Sequence, residues 1–218
     1  MVQASLAELW LAGFGFLAGA AEIMELIFMD RTPSLFPPTL GGPPGLRYEP
    51  DFVSPAEEQE LIGQVQRLPL QPFQFGAFEG KRYVASFGWR YDYTKHRLEA
   101  AAPLPLWLLP LIARIEAFTR SASIRQVLCT EYDQGAGIGW HRDKPHFDEV
   151  FGLSLASQCR LRFRRQNGSQ WQRFTLEALP RSLYMMSGAA RQIWEHSIPP
   201  VAARRVSITL RTMRQSEA

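Results

Sequence analysis

With 218 residues, 46% of them hydrophobic and 12% aromatic, the chain has enough apolar material for one buried core of ordinary domain size, which excludes an intrinsically disordered protein. Two cysteines, Cys129 and Cys159, form no C-x-x-C pair and are too few for a disulfide scaffold or a structural zinc site, so a reducing, cytoplasmic setting is expected. The formal net charge of +3 conceals an asymmetry, because residues 141–218 carry 13 Lys+Arg against 6 Asp+Glu while residues 1–140 carry 11 against 15. The C-terminal part is therefore suited to an anionic partner, unless those cations are only the wet faces of strands.

In chain order, the first feature is "LWLAGFGFLAGAA" (Leu9 to Ala21), a 13-residue apolar run. It falls short of the roughly 18 to 20 residues that cross a bilayer, and Glu22 and Glu25 interrupt it. The first basic residue is Arg31, so no cationic region precedes the run as in an export signal. No stable membrane span is expected, and Met24 and Met29 offer later starts that would leave the run out. Residues 32–45, "TPSLFPPTLGGPPG", are too rich in Pro and Gly for helix or strand. This divides the chain into an apolar extension with a linker, 1–45, and a folded domain, 46–218, for which a monomer is expected.

"SPAEEQELIGQVQ" carries a helix start, with Ser54 as N-cap, Pro55 at the first helical position and Glu57 three residues after the cap. It predicts a helix over about 55 to 67. "PLWLLPLIARIEAFTR" (105–120) predicts a second helix, kinked or restarted at Pro110. From Gln126 onward the pattern changes to short β-favouring runs: "QVLCTEY", "VFGLSLA", "RLRFRRQ", "QWQRFTL", "SLYMMS" and "RVSITLR". Asn167-Gly168 marks a hairpin between two of them. Two helices followed by six or more strands indicate an α+β fold whose strands close as a double-sheet roll.

The chemistry-bearing residues fall among these strands. His141 and Asp143 in "GWHRD" are two apart, so in an extended segment their side chains project to the same side. A distant histidine would complete a set of two imidazoles and one carboxylate, the donors that suit a non-haem Fe(II) centre with open positions, and His196 in "WEHSIPP" is the best candidate. Arg205 and Arg211 bracket "RVSITLR". Six residues apart on one strand they share a face, about 20 Å between Cα atoms at roughly 3.3 Å per residue, and two guanidinium groups so placed suit the two ends of a dicarboxylate.

"EYDQGAGIGWHRD", "WEHSIPP" and "RRVSITLR", in this order, resemble the AlkB family of 2-oxoglutarate and Fe(II)-dependent dioxygenases over roughly residues 46 to 213. The resemblance implies a double-stranded β-helix, or jelly roll, with a core over about 122–214, preceded by helices and a substrate lid. It implies that His141, Asp143 and His196 bind Fe(II), that Tyr132 hydrogen-bonds 2-oxoglutarate, that Arg205 binds its distal carboxylate, and that Arg211 lies near its chelating end. O2 is the second cosubstrate. The family's six-residue spacing selects Arg205 over its neighbour Arg204. Two positions depart from the family: Thr130 stands where many members carry asparagine, and Pro145 stands where repair members carry an acidic residue that reads base amino groups.

"RYVASFGWRYDYTKH" (82–96) lies where the family has its lid, and Trp89, Tyr91 and Tyr93 alternate there at a spacing of two. They would form one aromatic strand face able to stack a flipped base, or equally a hydrophobic edge packed on the core. Lys95, Arg97, Arg160, Arg162 and Arg164 are candidates for phosphate contacts. The expected activity is oxidative demethylation of alkylated bases in single-stranded DNA or RNA, as in DNA repair. An oxygenase acting on protein side chains stays open because of Pro145, and a non-catalytic binding module is the remaining alternative.

Overall fold

The computed structural model describes residues 41–75, 78–121 and 123–214. The apolar run Leu9 to Ala21 and residues 32–40 of the Pro/Gly segment lie outside them. Among the described residues the strands, in chain order, are β1 (Leu46–Glu49), β2 (Gln71–Phe75), β3 (Phe78–Phe87), β4 (Trp89–Asp92), β5 (Arg97–Ala100), β6 (Ile124–Tyr132) and β7 (Ile138–His141), then β8 (Phe147–Leu155), β9 (Cys159–Asn167), β10 (Gln170–Ala178), β11 (Leu183–Met186), β12 (Glu195–Ile198) and β13 (Arg205–Met213). Helices α1 (Pro55–Gln66) and α2 (Leu109–Thr119) precede most of the sheet residues, and a short α3 (Gly188–Gln192) interrupts them.

A seven-stranded sheet runs β1-β11-β8-β13-β6-β3-β2 and a four-stranded sheet runs β10-β9-β12-β7, while β4 and β5 form a separate two-stranded ribbon. All named strand pairs are antiparallel. Two facing antiparallel sheets of this kind make the double-stranded β-helix. The expectation that strands follow two helices needs one correction: β1 to β5 come earlier in the chain, and β3 and β2 widen the larger sheet beyond β6. β3 is a ten-residue strand whose register is set by pairing with β6, a long-range partner that local sequence does not reveal.

The helices form for local reasons. Ser54 accepts from the Glu57 N–H and the Glu57 carboxylate accepts from the Ser54 N–H, so both halves of the capping box are present at α1. Pro110 sits in the first turn of α2, after a 3-10 turn over Leu106–Leu108. The proline begins a helix there instead of kinking one, since its missing N–H would have no partner in a first turn anyway. The Asn167-Gly168 hairpin joins β9 to β10 with Gly168 at φ 60°, the left-handed backbone that a two-residue loop demands at its first position.

Alternation along the central strand β13 sorts two cores. Val206, Ile208 and Leu210 pack with Leu61 and Val65 of α1 and Leu111, Ile112 and Ile115 of α2. The odd-numbered residues Arg205, Ser207, Thr209 and Arg211 turn the other way, toward the space between the sheets. There Tyr132, Val150, Leu161, Phe163, Tyr184, Met186 and Ile198 form a second cluster. The site opens from that cluster.

Candidate active site

β7 and β12 lie side by side, and their register sets His196 opposite His141. The two imidazole centroids are 4.3 Å apart, and Asp143 follows from the segment just beyond β7. One ligand atom from each of His141, Asp143 and His196 lies within 4.8 Å of the others, the compact cluster needed for a single metal ion. His141 Nδ1 is 2.9 Å from the Gly139 carbonyl, so donation to that oxygen fixes the tautomer and leaves Nε2 with its lone pair. Burial raises the Asp143 carboxyl, but Arg211 first, then His196, His141 and Arg191, hold it well below the usual carboxylate range. Burial pushes the His196 imidazole down to about 3 against the pull of Asp143. The set at neutral pH is thus one carboxylate and an uncharged His196, the protonation states from which metal ligands are drawn.

The segment carrying Asp143 is tied down from α3. The buried Arg191 donates to the carbonyls of Lys144 and Phe147 at 2.6 and 2.9 Å. Arg211 reaches from β13 to donate to Asp143 Oδ1 at 3.1 Å and to Gln126 Oε1 at 2.7 Å. Arg205 is fully buried. Its guanidinium lies 4.9 Å from the Tyr132 ring and donates to the Ser154 hydroxyl at 3.3 Å from Nε and 3.2 Å from Nη2.

Three polar atoms on the inward face of β13 have no hydrogen-bond partner among the described residues: Arg205 Nη1, Ser207 Oγ and Arg211 Nε. His196 Nδ1 is a fourth buried atom in the same condition. Buried donors left unpaired cost about 1–3 kcal/mol each, so a row of them along one strand face marks a place where a polar ligand completes the structure. Two guanidinium groups with a hydroxyl between them suit an acid with two carboxylates. Ser207 was not singled out from the sequence, although it is in phase with Arg205 and Arg211. Gln126 and Ser154 were also missed, because their roles depend on cross-strand register.

A cleft of about 1350 Å³ runs from this floor to the surface. His141, Asp143, His196, Tyr132, Thr130 and Arg211 line it, while Arg205 and Ser207 are buried beside it and do not border it. Tyr184 crosses the floor because its strand partner is Gly152, where a Cβ would collide with the Tyr184 ring.

Of the three aromatics expected to form a stacking wall, the structure brings two to the cleft. Tyr91 and Tyr93 line it with centroids 5.1 Å apart in an edge-on pair. Trp89 does not line it and is 37% exposed at the start of β4, although its chain neighbour Arg90 and its strand partner Ala100 both do. Phe73 packs on Tyr93 at 5.6 Å, and Lys144 lies 4.4 and 5.0 Å from the Tyr91 and Tyr93 rings. Arg82 sits 3.8 Å over the Phe73 ring. Of the surface cations, Lys95 and Arg97 are both taken up by Glu99 on the β4–β5 ribbon.

The sequence model of the 2OG-Fe(II) oxygenase superfamily matches residues 45–214. An Arabidopsis thaliana protein named alkylated DNA repair protein ALKBH8 homolog is 32% identical over 212 residues, covering 78% of this chain and 59% of that one. The Xenopus tropicalis tRNA (carboxymethyluridine(34)-5-O)-methyltransferase alkbh8 is 30% identical over 166 residues, covering 72% of this chain but only 26% of its own length. The chain therefore spans less than two thirds of either relative. Among solved structures, OsALKBH1 superposes with a TM-score of 0.59 at 15% identity, over 78% of this chain and 97% of that one, a likeness of fold. The chain belongs to the 2OG-Fe(II) oxygenase superfamily, as an AlkB-like dioxygenase that depends on Fe(II), 2-oxoglutarate and O2.

Proposed function

We propose that His141, Asp143 and His196 hold the Fe(II), that Arg205 with Tyr132 takes the distal carboxylate of 2-oxoglutarate, and that Arg211 serves its other end. The observation that carries this reading is the row of unpartnered donors on β13 beside the His-Asp-His cluster. The bound metal, 2-oxoglutarate and O2 supply an oxidant, with succinate and carbon dioxide as co-products and one oxygen atom inserted into a substrate C–H bond. The chain's own residues place the substrate carbon, exclude water and hold the carboxylates.

The substrate we propose is an alkylated base in single-stranded DNA or RNA. Where the oxidised carbon is a methyl on nitrogen, hydroxylation gives a hemiaminal that breaks down to formaldehyde and the demethylated base. Support comes from the nucleic-acid substrates in the names of the relatives, from the Tyr91–Tyr93 pair at the cleft, and from Arg82 and Lys144, lining residues that make no ion pair with any described residue. Pro145 has no side-chain donor or acceptor, so an exocyclic amine is not read at that position, and selectivity for adenine or cytosine lesions is expected to be loose.

The test is to incubate the iron-loaded protein with methylated oligonucleotides and, separately, with methylated peptides, following formaldehyde and product mass. Turnover of oligonucleotides supports the proposal. Turnover of peptides alone overturns it in favour of a protein-directed oxygenase.

A further inference from the structure

The outer face of the four-stranded sheet carries a second concentration of aromatic and cationic side chains. His141 and His196 point between the sheets, so their chain neighbours Trp140, Glu195 and Ser197 point away from the ligands. On β9 the residues opposite Ser197 and Glu195 are Arg162 and Arg164, and on β10 the residue opposite Arg164 is Arg173. The Arg164 guanidinium lies 4.3 Å from the Trp140 ring and 4.6 Å from the Trp171 ring, and Arg162 lies 5.0 Å from Trp140. The contacts make one continuous aromatic and guanidinium surface across four strands.

Its charge is unbalanced. Arg164 pairs with Glu195 at 2.7 Å and Arg160 with Glu177 at 3.7 Å. Among the described residues, Arg162 has only the Ser197 hydroxyl as a hydrogen-bond partner, at 3.2 Å, and Arg173 is exposed with no partner. Two guanidinium groups thus remain without a carboxylate, beside an indole, Trp171, that is 40% exposed. The surface is also continuous with the cleft, since Trp140 lines the cleft and stacks with the arginines outside it.

We propose that this face is the track for nucleotides flanking the target base in a single-stranded nucleic acid, with a base stacked on Trp171 and phosphates at Arg162 and Arg173. The proposal rests on the nucleic-acid reading above. Exposed aromatics alternating with unpaired cations are the combination that holds single strands without reading sequence. Three strand spacings of about 4.8 Å separate β7 from β10, roughly 14 Å in all, which accommodates a few nucleotides stacked at about 3.4 Å. The strand would leave the cleft past Trp140.

Fluorescence anisotropy on the full chain tests this, with an unmodified labelled single-stranded RNA of about ten nucleotides as the probe and an RNA dinucleotide as competitor. Trp171→Ala is expected to weaken binding of the long strand about tenfold. Arg173→Gln is expected to lower the slope of log affinity against log salt by about 0.7. Neither variant should change the affinity of the dinucleotide, which is too short to leave the cleft. Arg173 is exposed and unpartnered, so the second variant keeps the test open should Trp171→Ala melt early. If the wild type binds the long strand and both variants match it, the track is overturned while the nucleic-acid reading stands. If the wild type binds no strand, RNA or DNA, and instead binds a poly-glutamate peptide, both fall.

Discussion

Arg205→Met is expected to move two measurements in different directions. Arg205 is fully buried, Nη1 has no partner among the described residues, and the Ser154 hydroxyl is shared by Nε and Nη2. An orphaned buried N–H costs about 1–3 kcal/mol, and replacing buried ionic groups by apolar ones of similar size is often neutral or stabilising by about 1–4 kcal/mol. The protein without cosubstrate should therefore melt no lower than the wild type, or a few degrees higher. Loss of a buried charge partner for a carboxylate costs about 2–5 kcal/mol, which at 1.4 kcal/mol per decade weakens 2-oxoglutarate about 30- to 4000-fold. At about one hundred times its Kd the ligand stabilises the wild type by about 2.7 kcal/mol, a rise in Tm of roughly 5 to 11 °C for a chain of this size. The variant at the same concentration should gain under about 1 kcal/mol. Thermal melts with and without 2-oxoglutarate, with Mn(II) as a redox-silent ion, measure both effects. A variant that keeps the full ligand-induced shift, or that loses several kcal/mol without ligand, refutes the assignment of Arg205.

His141→Ala, Asp143→Ala and His196→Ala should each lower Fe(II) affinity by at least about a hundredfold, measured as metal bound per chain after anaerobic dialysis, while His146→Ala should not. If His146→Ala abolished binding and His196→Ala left it intact, the ligand set would be wrong. Gly152→Ala should cost about 1–3 kcal/mol by overpacking and weaken 2-oxoglutarate as well, because the new Cβ displaces Tyr184; a neutral effect in both melts would remove Tyr184 from the account of the floor. Burial pushes the Cys129 thiol up to about 12 and raises Cys159 as well, so at about pH 8 on the order of one Cys129 thiol in ten thousand is ionised. Alkylation of either cysteine before denaturation, followed by mass, would contradict their burial.

What could be read from the sequence was whatever local chemistry decides. The α1 start rests on Ser54 and Glu57 three residues apart, and the β9–β10 hairpin rests on one glycine that takes a left-handed backbone. That Arg205 and Arg211 share one face of β13 followed from period two, while the choice of Arg205 over Arg204 rested on the family's six-residue spacing. What escaped depends on register between distant segments. β7 and β12 are four residues each, too short for a periodic signal, yet they set His141 against His196. Gln126 reaches Arg211 only because β6 and β13 align those residues. Trp89 shares the strand face of Tyr91 and Tyr93 but does not border the cleft, although Arg90 and Ala100 beside it do, so alternation alone did not decide which side chains of the ribbon reach it.

The two sheets divide the work of the site, and Asp143 is where they meet. The histidines come from the four-stranded sheet and the arginines from the seven-stranded one. The Asp143 carboxylate spans the gap, with Oδ1 accepting from Arg211 at 3.1 Å and Oδ2 3.9 Å from His196 Nε2. One oxygen is thus occupied by the guanidinium that keeps the carboxylate ionised, and the other faces the histidine cluster. Such a division explains why the segment after β7 is held so firmly by Arg191 through two backbone carbonyls. A shift of that loop would break the arginine contact and the ligand cluster together, so metal affinity and cosubstrate affinity depend on the same few backbone atoms. It also explains why Arg211, though itself no metal ligand, belongs with the metal side of the site in its effects. Removing it would leave a buried carboxylate without the partner that holds its proton off, and burial alone raises that carboxyl toward protonation.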